Sequence, residues 1–243
     1  KKFCARIATG DYRYRVEMVT PKLTYAELPK LQECIRQVRH AGARANNSCG
    51  IHVHVDGANH TPESLSRLLN FAAGRQDLFY ESLQIGERAD QWCHKISPEL
   101  FKAMKKQGRS SRAAAEEIWY SSVNDGYSGG ISHGHYNQTR YHGINLHAFF
   151  TKGTVEFRLF NGTTHAGRIK AYIQFCLAMS AWSINCDHDN LHFKSIAGYT
   201  QQQKHDLMMR VLTKRLGMRG PEFKTARLHL TAAFETAPAV TAA

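Results

Sequence analysis

Cys49-Gly50-Ile51-His52-Val53-His54-Val55-Asp56 is the stretch on which the fold turns. Alternate residues of a strand point to opposite faces. His52, His54 and Asp56 therefore share one face, and Ile51, Val53 and Val55 share the other. The apolar face can rest on a core while the imidazoles face a cavity. Gly153-Thr154-Val155-Glu156-Phe157-Arg158-Leu159-Phe160 repeats the pattern, with Val155, Phe157 and Leu159 on one face and Glu156 and Arg158 on the other. Two strands with apolar backs and chemically loaded fronts predict a sheet, one face of which is the site. Glu156 and Arg158 are placed on that front, away from the core.

Working outward, residues 12–19 alternate and read as a strand that Pro21 stops. Leu28, Leu31, Ile35 and Val38 have helical spacing, Thr24 with Glu27 makes a capping box, and Gly42 closes that helix. Thr61 and Pro62 open a second helix, whose Leu65, Leu68 and Leu69, with Leu78 and Phe79 beyond, face a core. Residues 84–113 are charged and weakly periodic, with a short helix expected near 98–106. Residues 121–138 form a long, polar, Gly-rich loop; loops of this length are usually functional or disordered. A hairpin is expected next, with strands over 141–150 and 154–160 joined at Thr151-Lys152-Gly153. Residues 166–185 and 203–216 read as helices, and residues 236–243 as a frayed tail. No repeat or linker divides the chain. One catalytic domain over 1–243 is expected, with a motif-bearing core at 12–185 and a helical region at 186–235.

Composition fits that reading. The 243 residues are 42% hydrophobic and 21% charged, ordinary for a folded protein able to bury its own core. No apolar run reaches the ~18 residues of a membrane span, and no signal-peptide pattern opens the chain. The six cysteines form no C-x-x-C pair, so reduced thiols in a cytoplasmic protein are expected. A net charge of +12 favours polyanionic partners such as nucleotides or acidic polymers. No nucleic-acid recognition motif accompanies the charge, so nucleic acid is not the expected partner.

The chemistry lies in the combination. His-x-His alone is structural or a metal pair, and Glu-x-Arg alone is common on surface strands. With Glu17 before Pro21 and the Arg140-to-Asn145 strand, carboxylate and imidazole suit Mg²⁺ or Mn²⁺ bridging phosphates. Arginines beside them suit phosphate oxygens. A zinc hydrolase using His52, His54 and Glu156 stays open, as does a binding module without chemistry. Cys49 reads as readily as a small residue before Gly50 as it does as a nucleophile. His133 and His135 belong to a lid or to a plain solvent loop, and His142 and His147 read as structural.

Four motifs then carry a resemblance: Glu17-Met18-Val19-Thr20-Pro21; Asn47 through Val55; Arg140-Tyr141-x-Gly143-x-Asn145; and Thr154 through Thr163. In order and type they resemble the amidoligase family, distant relatives of glutamine synthetase and glutamate–cysteine ligase. The resemblance implies an α+β, glutamine synthetase-like fold: a curved, mainly antiparallel sheet with helices on its outer face. It implies ATP-dependent joining of a carboxylate to an amine through an acyl phosphate, with ATP and Mg²⁺ or Mn²⁺ as cofactors. The acceptor is expected to be a peptide or protein carboxylate. Glu17, His52 and Glu156 are then similar to metal ligands, and His54 to a residue near the nucleotide. Arg158, Arg140 and Asn145 resemble phosphate or substrate contacts. The family usually opens with a Glu-x-Glu strand; no such strand is expected before Glu17, and residues 1–10 hold no Glu.

Overall fold

The computed structural model describes residues 4–7, 16–122, 131–187 and 195–235, with the backbone alone at 4–7 and at residue 122. Strands β1 (Cys4–Ile7) and β2 (Val16–Val19) pair antiparallel as a two-stranded sheet. Helix α1 (Leu28–His40) follows, and Glu27 accepts from the Thr24 backbone at 2.8 Å and from its hydroxyl at 2.9 Å, as the capping box predicts. Strand β3 (Gly50–Asp56) leads into α2 (Pro62–Ala73), α3 (Gln76–Ser82), α4 (Arg88–Gln91), α5 (Pro98–Lys106) and α6 (Arg112–Ser122). Strand β4 (Ile144–Asn145), α7 (His147–Lys152) and β5 (Thr154–Asn161) complete the second sheet. Helix α8 (Ala166–Asn185), α9 (Gln201–Arg210), a wide turn at Val211–Arg215 and α10 (Lys224–Thr231) close the chain. The fold is α+β, with a small, open antiparallel sheet and many helices.

The second sheet runs β3-β5-β4, all antiparallel, with β5 at its centre. Its apolar back carries Val53, Val55, Val155 and Phe157 into the main core. Helix α8 packs there: Phe160 stacks on Tyr172 at 4.3 Å, and Phe175 meets Phe79 edge-on at 5.2 Å. The ladder shifts register between Ile51 and Val53, where two residues of β5, Arg158 and Leu159, answer one of β3, His52. A bulge of this kind resets the alternation, so Leu159 and Phe160 both enter the core. A smaller cluster joins Leu28, Leu31 and Ile35 of α1 to Ala166 and Ile169 of α8, with Met18 of β2 packed against it.

One expectation needs correction. Only Ile144 and Asn145 of the expected strand over 141–150 pair with β5, and residues 147–152 are helical. Phe149 and Phe150 are both buried, which neighbouring residues of a strand with one wet face could not achieve. Gly153, at φ 73°, takes the left-handed conformation that ends α7 and starts β5. The strand that pairs with the one carrying Glu17 is β1, whose sequence Cys-Ala-Arg-Ile holds no carboxylate. The helices expected at 98–106 and 166–185 form as read, and the helix over 203–216 forms as α9 with its wide turn. Part of the loop over 121–138 and the tail at 236–243 lie outside the described residues.

His60 ties α2 to α8. Its ring nitrogens lie 2.9 Å from Ser64 Oγ and 2.8 Å from Ser180 Oγ. Burial, with Arg67 nearby, pushes its pKa from 6.5 down to about 4. The folded state therefore holds His60 neutral while the unfolded chain protonates it near pH 6.5. Its contribution is complete above that value and is lost as pH falls from 6.5 towards 4, by up to about 3 kcal/mol. Urea unfolding at pH 7 and pH 4.5 should show a smaller acid loss for His60→Gln than for the parent chain. Equal losses would show that His60 does not carry this pH dependence.

Candidate functional site

The front of the β3-β5-β4 sheet gathers five of the residues singled out in the sequence. His54 lies directly across from Glu156 in the ladder, and Asn145 lies across from Glu156 on the other side. Three strands thus aim His54, Glu156 and Asn145 at one spot, as alternation requires. Glu156 Oε1 accepts from Arg158 Nη1 at 2.7 Å, and its Oε2 accepts from Asn145 Nδ2 at 2.7 Å. His52 Nδ1 stands 3.3 Å and His54 Nε2 3.8 Å from the same Oε1. His54 Nδ1 meets Thr154 Oγ1 at 2.8 Å.

Burial differs across this group. Glu156 and Arg158 are only 5% and 4% exposed, whereas His52 and His54 border solvent. The front face is therefore partly covered. Arg158 Nε donates to Trp92 O at 3.3 Å, and its guanidinium lies over the Tyr141 ring at 5.6 Å. His94 extends the sheet edge, its N–H donating to Tyr141 O at 2.7 Å and its carbonyl accepting from Gly143 N at 3.0 Å.

The charges follow from these contacts. Burial pushes the Glu156 carboxyl up, but Arg158, His54 and His52 together outweigh it and hold it below its ordinary range. Burial, then Arg158, bring His52 down to about 4 against the opposing pull of Glu156. Burial also lowers His54, again against Glu156. At neutral pH the centre is a buried carboxylate–guanidinium pair flanked by two neutral imidazoles, with His52 Nδ1 also 3.4 Å from Arg158 Nη1. Asn145 Oδ1 is a buried acceptor without a partner among the described residues. The carboxylate on its Nδ2 fixes the amide orientation, so Oδ1 is available to a ligand donor.

The spacing of the imidazoles from Oε1 is near the roughly 3.0–3.5 Å between donors that share one ion. Arg158, however, already occupies that oxygen. Among the described residues no three His, Cys, Asp or Glu side chains form a cage able to hold a metal. As they stand, these residues do not fit a divalent ion, because a cation of the chain itself takes the carboxylate charge. The same contact weighs against zinc on His52, His54 and Glu156.

The other sequence candidates lie on other elements. Glu17 is exposed on β2, in the separate two-stranded sheet. Arg140 donates to His135 O at 2.7 Å, and its guanidinium lies 5.6 Å from the Tyr141 ring that Arg158 also meets. His142 and His147 have partners of their own, Thr139 O at 3.0 Å and Tyr120 Oη at 2.7 Å. His133 meets Glu116 at 2.6 Å. The Cys49 thiol sits 3.4 Å from Asn46 Oδ1, and Cys34, Cys49, Cys93 and Cys176 are free thiols.

Arg88 and Trp92 were not singled out in the sequence. They come from the weakly periodic segment over 84–113, and no local pattern marks them. Arg88 donates to Phe160 O at 2.8 Å and to Asn161 Oδ1 at 3.1 Å. Its Nη2 lies against Gly50, where a Cβ would stand only 2.4 Å away. Gly50 therefore makes room for a second guanidinium beside His52.

A family model described as "Putative amidoligase enzyme" matches residues 3–180. No curated protein and no solved structure matches the chain. No helix among the described residues is long and apolar enough to cross a membrane.

Proposed function

The chain belongs to the amidoligase family, and on that premise we propose that it is an ATP-dependent carboxylate–amine ligase of glutamine synthetase-like fold. The observation that supports this most is the Glu156–Arg158 pair, buried beneath two neutral imidazoles on the open face of a sheet. In the proposed reaction a carboxylate oxygen attacks the γ-phosphorus of ATP and ADP leaves. An amine then attacks the acyl carbon, and inorganic phosphate leaves with the oxygen it received. Each step moves negative charge, so fixed cations and dipoles supply most of the acceleration.

The side chains divide the work in this reading. Arg158 meets the transferring phosphoryl group, Glu156 and the Trp92 carbonyl hold its fork in place, and Arg140, beside the same Tyr141 ring, contacts phosphate. His54 lies nearest the nucleotide. Asn145 offers Oδ1 to an N–H of the amine. ATP carries a divalent cation, Mg²⁺ or Mn²⁺, on its phosphates. Glu156 and His52 could share that ion only with Arg158 moved off Oε1, and Glu17 is the third residue that would hold it. The acceptor in this proposal is a peptide or protein carboxylate, drawn in by the net charge of +12.

An ADP-release screen across pairs of carboxylates and amines, read by mass spectrometry for loss of water between them, tests the reading. ADP release that needs both partners, with an amide product, is expected. Condensation without ATP, or hydrolysis of an amide instead, would overturn it. Stimulation by free amino acids alone would remove the peptide acceptor and leave the ligase.

A further inference from the structure

The segment from α4 to His94 clasps the front of the sheet from outside the strands that carry the family motifs. Arg88 fastens it to the end of β5, and the Trp92 carbonyl fastens it to Arg158. Two of its side chains lack the partner their chemistry calls for. The Arg88 guanidinium is bound only by a carbonyl and an amide oxygen, and no carboxylate pairs with it among the described residues. The Trp92 indole is 46% exposed. It meets the Tyr141 ring nearly edge-on, at 5.3 Å and 74°, and that ring in turn lies under the Arg158 and Arg140 guanidinium groups.

An uncompensated half-buried cation favours an anion, and a guanidinium presents a fork that matches phosphate oxygens. An exposed aromatic face beside cations favours a flat, conjugated ring. One ligand class offers both groups joined by a short spacer. We propose that residues 88–92 form the nucleotide wall of the site, with Trp92 stacking the base and Arg88, together with Arg158, holding the phosphates. The inference rests on the ATP-dependent reading above and deepens it: the wall comes from the α4 segment rather than from the sheet.

Binding of ATP and of inorganic tripolyphosphate by isothermal titration separates the two contacts. Trp92→Ala should weaken ATP roughly 5- to 100-fold and leave tripolyphosphate unchanged, while Trp92→Phe keeps most of the ATP affinity. Arg88→Gln should weaken both ligands by roughly tenfold or more. Trp92 lies at the surface, so its variants remain informative if Arg88→Gln fails to fold. ATP binding by the parent chain with unchanged affinity in the Trp92 variants would overturn the wall and leave the ligase reading standing. Absence of ATP binding by the parent chain would overturn both.

Discussion

Glu156→Ala is expected to destabilise the protein by about 3–5 kcal/mol, because it leaves the Arg158 charge buried without its carboxylate. Both side chains are nearly inaccessible, and Asn145 Nδ2 loses its acceptor in the same step. From sequence alone, a residue on the polar face away from the core should be removable with the fold intact; its burial changes that expectation. Urea unfolding gives the measurement. The double variant Glu156→Gln with Arg158→Met should recover part of the loss, since removing both charges removes the desolvation problem. A loss under about 1 kcal/mol for Glu156→Ala would mean that water or another group reaches Arg158, and the buried pair would not be the centre of the site.

Arg158→Lys is expected to lower ATP turnover roughly 100-fold or more, the scale of losing a donor aimed at developing charge. The guanidinium now serves Glu156 through Nη1, Trp92 O through Nε, and the Tyr141 face. A lysine keeps the charge but is a single point, and it cannot hold these directions together. Because the charge survives, the stability cost should be smaller than that of Glu156→Ala. The signature is a fall in kcat with the fold retained. Normal ligation by Arg158→Lys would remove the phosphate-facing role assigned to Arg158.

The parts of this site that were legible are those set by local period. His52 and His54 share the open face of β3 because alternation is a property of neighbouring residues, and no distant contact is needed to enforce it. Glu156 and Arg158 share their face for the same reason. Their burial was not legible, because it depends on Trp92, Tyr141 and β4, which arrive from elsewhere in the chain. Arg88 was hidden in the same way: nothing in residues 84–113 says that this cation will reach Gly50. The expected strand over 141–150 failed through local competition. Phe149 and Phe150 both need the core, and Gly153 supplies the stop that lets a single helical turn precede β5. Helix α1 was read well because its capping box and apolar spacing are local.

If a carboxylate is activated by ATP before an amine attacks it, as proposed, oxygen tracing follows that step. An acceptor labelled with ¹⁸O in both carboxylate oxygens is given to the protein with ATP and an amine, and the inorganic phosphate is analysed by mass spectrometry. One ¹⁸O is expected in each phosphate released, in proportion to amide formed. Unlabelled phosphate alongside amide product, or product formed without ATP, would contradict it.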